Sequence, residues 1–303
     1  MGTRHSHQGH RVSERNILIT VILNLVITIT EFLGGIFSNS LALISDALHN
    51  LGDTFAIAIA YVALRIGKRK GNVRKTFGYK RIEILAALFN TTLLIGISLY
   101  LFFEAYQRLK DPVPIKSGVM FWIALVGLLA NLLSVLLLKR DSASSLNIRS
   151  AYLHLMGDTL SSVAVIMGSL LIRYLEVNWV DPLLTFLIGI FIIRETWSIW
   201  KETIDILMEA SPGELDIGEI KTELEKHLQV SNIHHIHAWR LTDSEIHFQC
   251  HVEVLENLPI REIDKLRIEL EKQLIEKYGI QHVTIQVEFD TCDDKGSIAA
   301  VDR

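Results

Sequence analysis

The chain begins polar, turns apolar at Ile17, stays mostly apolar to about residue 207, and then becomes charged and mixed. Short polar breaks divide the apolar part into six runs: Ile17–Phe37, Leu41–Ile66, Ile82–Tyr106, Gly118–Leu138, Ala151–Leu175 and Val180–Trp200. Each reaches about 20 residues, the length an α-helix needs to cross roughly 30 Å of hydrocarbon. The pattern predicts an all-α transmembrane domain of six spans. From Pro212 the periodicity changes. Gly218–Leu228 and Ile260–Tyr278 read as amphipathic helices, the second ended by Gly279. Ile233–Leu241, Glu245–Leu255 and His282–Phe289 alternate as strands. The order α-β-β-α-β predicts a small α+β domain of ferredoxin-like type. The expected organisation is a flexible, His-containing tail over residues 1–16, a membrane domain over 17–207, a water-soluble domain over 208–290 and a disordered tail over 291–303.

Composition agrees with that division. Half of the 303 residues are hydrophobic and 21% are charged, an apolar excess for a soluble protein. A net charge of -4 offers no footing for nucleic acid. Two cysteines, Cys250 and Cys292, are too few for a disulfide scaffold. The first ten residues are polar and the run from Ile17 is followed by more such runs, so it reads as a first span rather than a signal peptide. Between the second and third spans lies a basic stretch: Arg65, Lys68, Arg69, Lys70, Arg74, Lys75, Lys80 and Arg81. Positive loops stay in the cytoplasm, which puts both termini inside. Arg108, Lys110 and Lys116 after the third span are a mild contrary signal.

Charge within the spans changes the picture most. Of 12 histidines, only His49 and His154 lie in the membrane half, and each is followed four residues later by an aspartate, Asp53 and Asp158. Side chains at i and i+4 share a helix face. If the second and fifth spans touch, two imidazoles and two carboxylates meet inside the bilayer, the ligand number of tetrahedral zinc. The bland alternative is that each pair merely stitches its own helix. The repeated spacing argues against it, because ionisable groups in lipid are rare unless they pair or work. Imidazole with carboxylate suits Zn2+ and admits Co2+, Fe2+ or Cd2+; no span holds the thiolates that copper prefers. Protons compete with metal for the imidazoles, so such a site has a means of proton exchange. Asp46, one turn before His49, is read as lining an access path or making a polar contact.

Other polar positions carry plainer expectations. Asn24, Glu31, Asn90, Glu104 and Asn131 are expected to hydrogen-bond between helices. Gly34, Gly35 and Gly127 would permit close helix packing, and Asp181-Pro182 opens the sixth span. Arg81 and Asp205 are placed to form an ion pair at the cytoplasmic face. In the tail, strand alternation selects His234, His251 and Glu288 for one face as a second metal set. His227 reads as surface, and Trp239 as a core or subunit-contact residue. His5, His7, His10 and Cys292, with Asp293 and Asp294, are weaker metal-capture candidates.

These segments resemble the cation diffusion facilitator family of metal–proton antiporters, particularly its bacterial zinc, cadmium and cobalt branch. The resemblance is carried by SLALISDALHNLGD at Ser40–Asp53, TFGYKRIE at Thr76–Glu83, NIRSAYLH at Asn147–His154 continuing to Asp158, and HVTIQVE at His282–Glu288. It implies a homodimer in the inner membrane, with a transport site of His49, Asp53, His154 and Asp158. It also implies a cytoplasmic domain that binds metal through His234, His251 and Glu288, with Gln286 where a family histidine is expected. Arg81 with Asp205 would match a dimer-holding interlock. The implied activity is efflux of a divalent cation, zinc first, in exchange for protons by alternating access. The alternative is a membrane-anchored zinc sensor without transport, for which the intramembrane pairs have no use. A metalloprotease is disfavoured by the absence of His-Glu-x-x-His and of an open metal position.

Overall fold

The computed structural model describes residues 14–139 and 146–290. The tail histidines His5, His7 and His10, and Cys292, Asp293 and Asp294, lie outside those residues. Six long helices come first: α1 (Glu14–Ser38), α2 (Leu41–Gly67), α3 (Ile82–Lys110), α4 (Ser117–Lys139), α5 (Leu146–Leu175) and α6 (Val180–Leu207). Then follow α7 (Ile217–Leu224), β1 (Val230–Arg240), β2 (Ile246–Val254), α8 (Ile260–Tyr278) and β3 (His282–Glu288). The described residues form two compact units. One holds most of the six long helices; the other joins the stretch from Val62 to Leu88 to the chain from Lys201 onward.

In the first unit, five helices are long and apolar enough to cross a membrane, and α1 adds the apolar segment Ile22–Ser38. Their outward surfaces carry Phe89, Tyr100, Leu129, Leu136, Leu160 and Leu187, all exposed. In water such a surface would drive aggregation; in a bilayer, lipid covers it. The helices pack through small residues. At Gly34 of α1 a Cβ would lie 2.6 Å from the Ile123 side chain of α4, and at Gly52 of α2 one would lie 2.3 Å from Leu94 of α3. Close packing of this kind replaces the hydrophobic effect as the source of helix association in lipid.

Asp181 is the main polar tie in this unit. Its carboxylate accepts from Ser40 Oγ at 2.5 Å and from the backbone N–H groups of Leu41 and Ala42 at 2.8 and 3.3 Å. A residue expected only to open α6 therefore caps the N-terminus of α2, where unpaired N–H groups and the helix dipole favour a negative group. The site is wholly buried, so no water can replace those bonds.

In the second unit the three strands form one sheet in the order β1-β2-β3, β1 antiparallel to β2 and β2 parallel to β3. A parallel pair needs a crossover, and α8 supplies it. Leu266, Leu270 and Leu274, spaced four apart on α8, are buried against Phe248, Cys250 and Val252, with Ile220 and Leu224 of α7 completing the core. Each such leucine contributes roughly 1.5–3 kcal/mol of burial. Gly279 ends α8 at φ 65, the left-handed cap that only glycine adopts without strain. Burial also pushes the Cys250 thiol up to about 12, which makes it inert core. The helices cover one sheet face, so the alternate residues His247, Gln249, His251 and Glu253 take the other.

Replacing Asp181 with Ala should cost about 1–2 kcal/mol, the scale of a lost helix cap. Thermal unfolding in detergent checks this, with Asp181→Asn expected to lose less because it keeps an acceptor.

Candidate metal centre

His49 and Asp53 lie one turn apart on α2, and His154 and Asp158 one turn apart on α5. The helices bring the two pairs together. His154 Nε2 lies 2.9 Å from Asp53 Oδ2, and His49 Nε2 lies 3.7 Å from Asp53 Oδ2 and 3.8 Å from Asp158 Oδ1. His154 Nε2 is also 3.8 Å from Asp158 Oδ2. Donors bound at about 2.0 Å around a tetrahedral ion stand roughly 3.3 Å apart. The observed separations straddle that value, so small side-chain movements would close the set on a dication. His49 and Asp158 are buried, while Asp53 and His154 are partly open. Neither ring nitrogen of His49 makes a hydrogen bond. An imidazole held dry with both nitrogens unbonded is suited to receiving an ion.

Glu195 of α6 was not expected from the sequence. Its carboxylate lies 3.6 Å from His154 Nδ1 and 3.9 Å from His49 Nε2. A second-layer acid on the far side of a ligating imidazole fixes its tautomer and makes the other nitrogen a better ligand. Asp46 is engaged elsewhere, accepting from Ser161 Oγ at 2.8 Å. Asp46, His49, Asp158, Ser161 and Phe191 border a cavity of about 300 Å³. The other span residues divide. Asn50 donates to Glu31, and Asn131 lies 3.4 Å from Ser162 across α4 and α5. Glu104 instead pairs within its own helix with Arg108.

The second set lies on the sheet face opposite α7 and α8. His251 Nδ1 is 2.9 Å and His234 Nε2 3.4 Å from the two oxygens of Glu288. His235, which strand alternation does not select, joins them. His234 pairs with His251 and His237 with Gln249, so β1 holds one residue more than β2 over that interval. His235 sits in this bulge at φ 49. Its ring centroid comes within 5.0 Å of His234 and 4.8 Å of His251. Nitrogens of all three can stand within 4.8 Å of one another. A strict two-residue period would send His235 to the other face; the bulge re-aims it. The only advance signal was the His-His doublet.

Within one subunit Arg81 takes an acid other than Asp205. Arg81 Nη2 binds Glu209 Oε1 at 2.8 Å. Glu209 lies just beyond the end of α6, at φ 57, one turn past Asp205. Nearby, Lys80 pairs with Glu245 at 2.5 Å, and Arg240 pairs with Glu202 and Glu214.

A family model described as the cation efflux transmembrane domain matches residues 17–208, and one described as the cation efflux protein cytoplasmic domain matches residues 212–290. The chain belongs to the cation efflux family. It is accordingly a multi-pass membrane transport protein and not an enzyme. It is similar to the metal cation efflux system protein CzcD of Cupriavidus metallidurans, 40% identical over 293 residues covering 97% of this chain and 92% of that one. It is 37% identical to the cadmium, cobalt and zinc/H(+)-K(+) antiporter of Bacillus subtilis over 300 residues, 98% and 95% of the two chains. It is 35% identical to the zinc transporter ZitB of Escherichia coli over 298 residues, 96% and 94% of the two. Membership in the cation efflux family rests on both halves of the chain.

On the sheet face opposite α7 and α8, His247 is buried and held below its ordinary 6.5 by burial and by the neighbouring His282, against the opposing pull of Glu245. Its unfolded form therefore binds protons more readily. The stability it contributes is complete above about pH 6.5 and is lost as pH falls through that value toward the lower folded one. Acidification should lower the melting point of the metal-free protein, and His247→Gln should flatten that dependence.

Proposed function

We propose that the chain exports divalent metal cations, zinc first, with cadmium, cobalt and iron also within reach of its ligands, in exchange for protons. The observation that carries this reading is the approach of His49, Asp53, His154 and Asp158 from two membrane-spanning helices. A charged side chain near the bilayer centre costs about 3 kcal/mol. Four ionisable groups gathered there make physical sense only if a cation offsets them. Metal enters from the cytoplasm, the helices rock to expose the site outward, and protons displace the ion from the imidazoles. The names of the relatives, which describe efflux of metal cations and antiport against protons, support the same activity.

In this reading the protein is a homodimer of the inner membrane with both termini in the cytoplasm. Its sheet domain binds metal through His234, His251 and Glu288, aided by His235, and joins the subunits; the match to the family's cytoplasmic domain supports this. Arg81 and Glu209 would brace the membrane face, with Asp205 free to meet a partner subunit. Zinc is both cargo and regulatory ligand. A membrane-anchored sensor would have no use for the four intramembrane ligands, and none of the three relatives above is named as one.

The test is zinc uptake into proteoliposomes under an imposed pH gradient. His154→Ala and Asp53→Ala should each abolish uptake while leaving the protein folded; normal uptake by either would refute the site. His49→Asp should shift the preference toward manganese, because it replaces an imidazole with a harder oxygen ligand. A metal-by-metal uptake series checks that.

A further inference from the structure

Glu31 of α1 has no place among the four ligands, yet it is only 1% exposed. One hydrogen bond reaches it, from the Asn50 amide to Oε2 at 3.2 Å. Its other oxygen, Oε1, is buried without a partner. Gly127 of α4 leaves room for that oxygen: a Cβ there would lie 2.3 Å away. The charged groups facing Glu31 are Asp46 of α2 and Asp158 of α5, both acidic, and α4 sets none against it. Among the described residues no cation forms an ion pair with it.

An ionised Glu31 would thus be a third acid beside Asp46 and Asp158, and the only imidazoles near that cluster, His49 and His154, face those two aspartates and not Glu31, a costly state for it. There are two ways out. A proton on Oε1 removes the charge, or a nearby dication offsets it. Asp158 belongs both to the four-ligand set and to the acids facing Glu31, so a metal bound there supplies the missing charge. The two remedies are needed at different moments, one when the site is empty and the other when it is filled.

We propose that Glu31 is a proton-carrying group of the exchange cycle, holding a proton on Oε1 while the four-ligand site is empty and releasing it to water when a dication arrives. Only the O–H bond breaks; its electron pair stays on Oε1, and the Asn50 amide holds Oε2 in both states. This inference rests on the transport reading above. It adds a proton that the imidazoles do not supply, and it places that proton on a residue outside the four-ligand set.

The experiment is calorimetric titration of zinc into the full-length protein in detergent, repeated in buffers of different ionisation enthalpy, which yields the protons released per ion bound. Protons from the imidazoles, including those of the sheet domain, are common to all variants and cancel in the comparison. Glu31→Gln should bind zinc but release fewer protons than the wild type, the deficit approaching a whole proton at the optimal pH. Gly127→Ala, whose methyl displaces Oε1 without touching the four ligands, should also change the count. An unchanged count in both variants at every pH tried would overturn the inference. So would loss of zinc binding in Glu31→Gln, which would make the carboxyl a prop of the site. Wild-type protein that binds zinc but carries none across a liposome membrane would sink the transport reading instead.

Discussion

Charge is nearly forbidden in hydrocarbon, and that constraint organises the membrane half of this chain. Ionised side chains there must be paired, neutralised or filled by an ion. The structure uses different answers for different groups. Asp181 is satisfied by two backbone N–H groups and a serine hydroxyl at a helix start. Asp46 takes a hydroxyl bond from Ser161. The two imidazoles and two carboxylates of α2 and α5 are left facing one another, close enough to share one cation. Apolar packing sets where the helices run; these polar demands set how they are turned.

The spans were legible because the hydrocarbon core sets one length and tolerates few polar residues. The six runs read from the sequence lie inside α1 to α6, with ends within five residues except at the end of α6, which continues seven residues beyond Trp200 to Leu207, and the α-β-β-α-β order of the last third is also observed. The intramembrane pairs could be found because i,i+4 spacing is a property of one helix and survives any packing. Glu195 could not be found that way. Whether a residue of α6 meets α2 and α5 depends on the rotation of a third helix, which no local pattern encodes.

Two other features have local causes. His235 stands outside the set that alternation selects, because alternation assumes an unbroken ladder and β1 carries an extra residue between His234 and His237. Within the subunit Arg81 meets Glu209, four residues past Asp205, reached because the chain leaves α6 with Glu209 in a left-handed conformation. Both features arise where regular structure stops, beside ionisable side chains. Such departures are where sequence rules are expected to fail.

The bond set of Asp181 also bears on how the helices can part. It ties the first turn of α6 to the first turn of α2, so those two rods share a fixed joint at one membrane face. Rods pinned at one tip can separate only by swinging about it. Displacement between them is least near Ser40 and grows with distance toward Tyr61 and Trp200. A gap at the pinned face must therefore run past some other pair of helices, while the leverage of α2 against α6 is delivered at the opposite face.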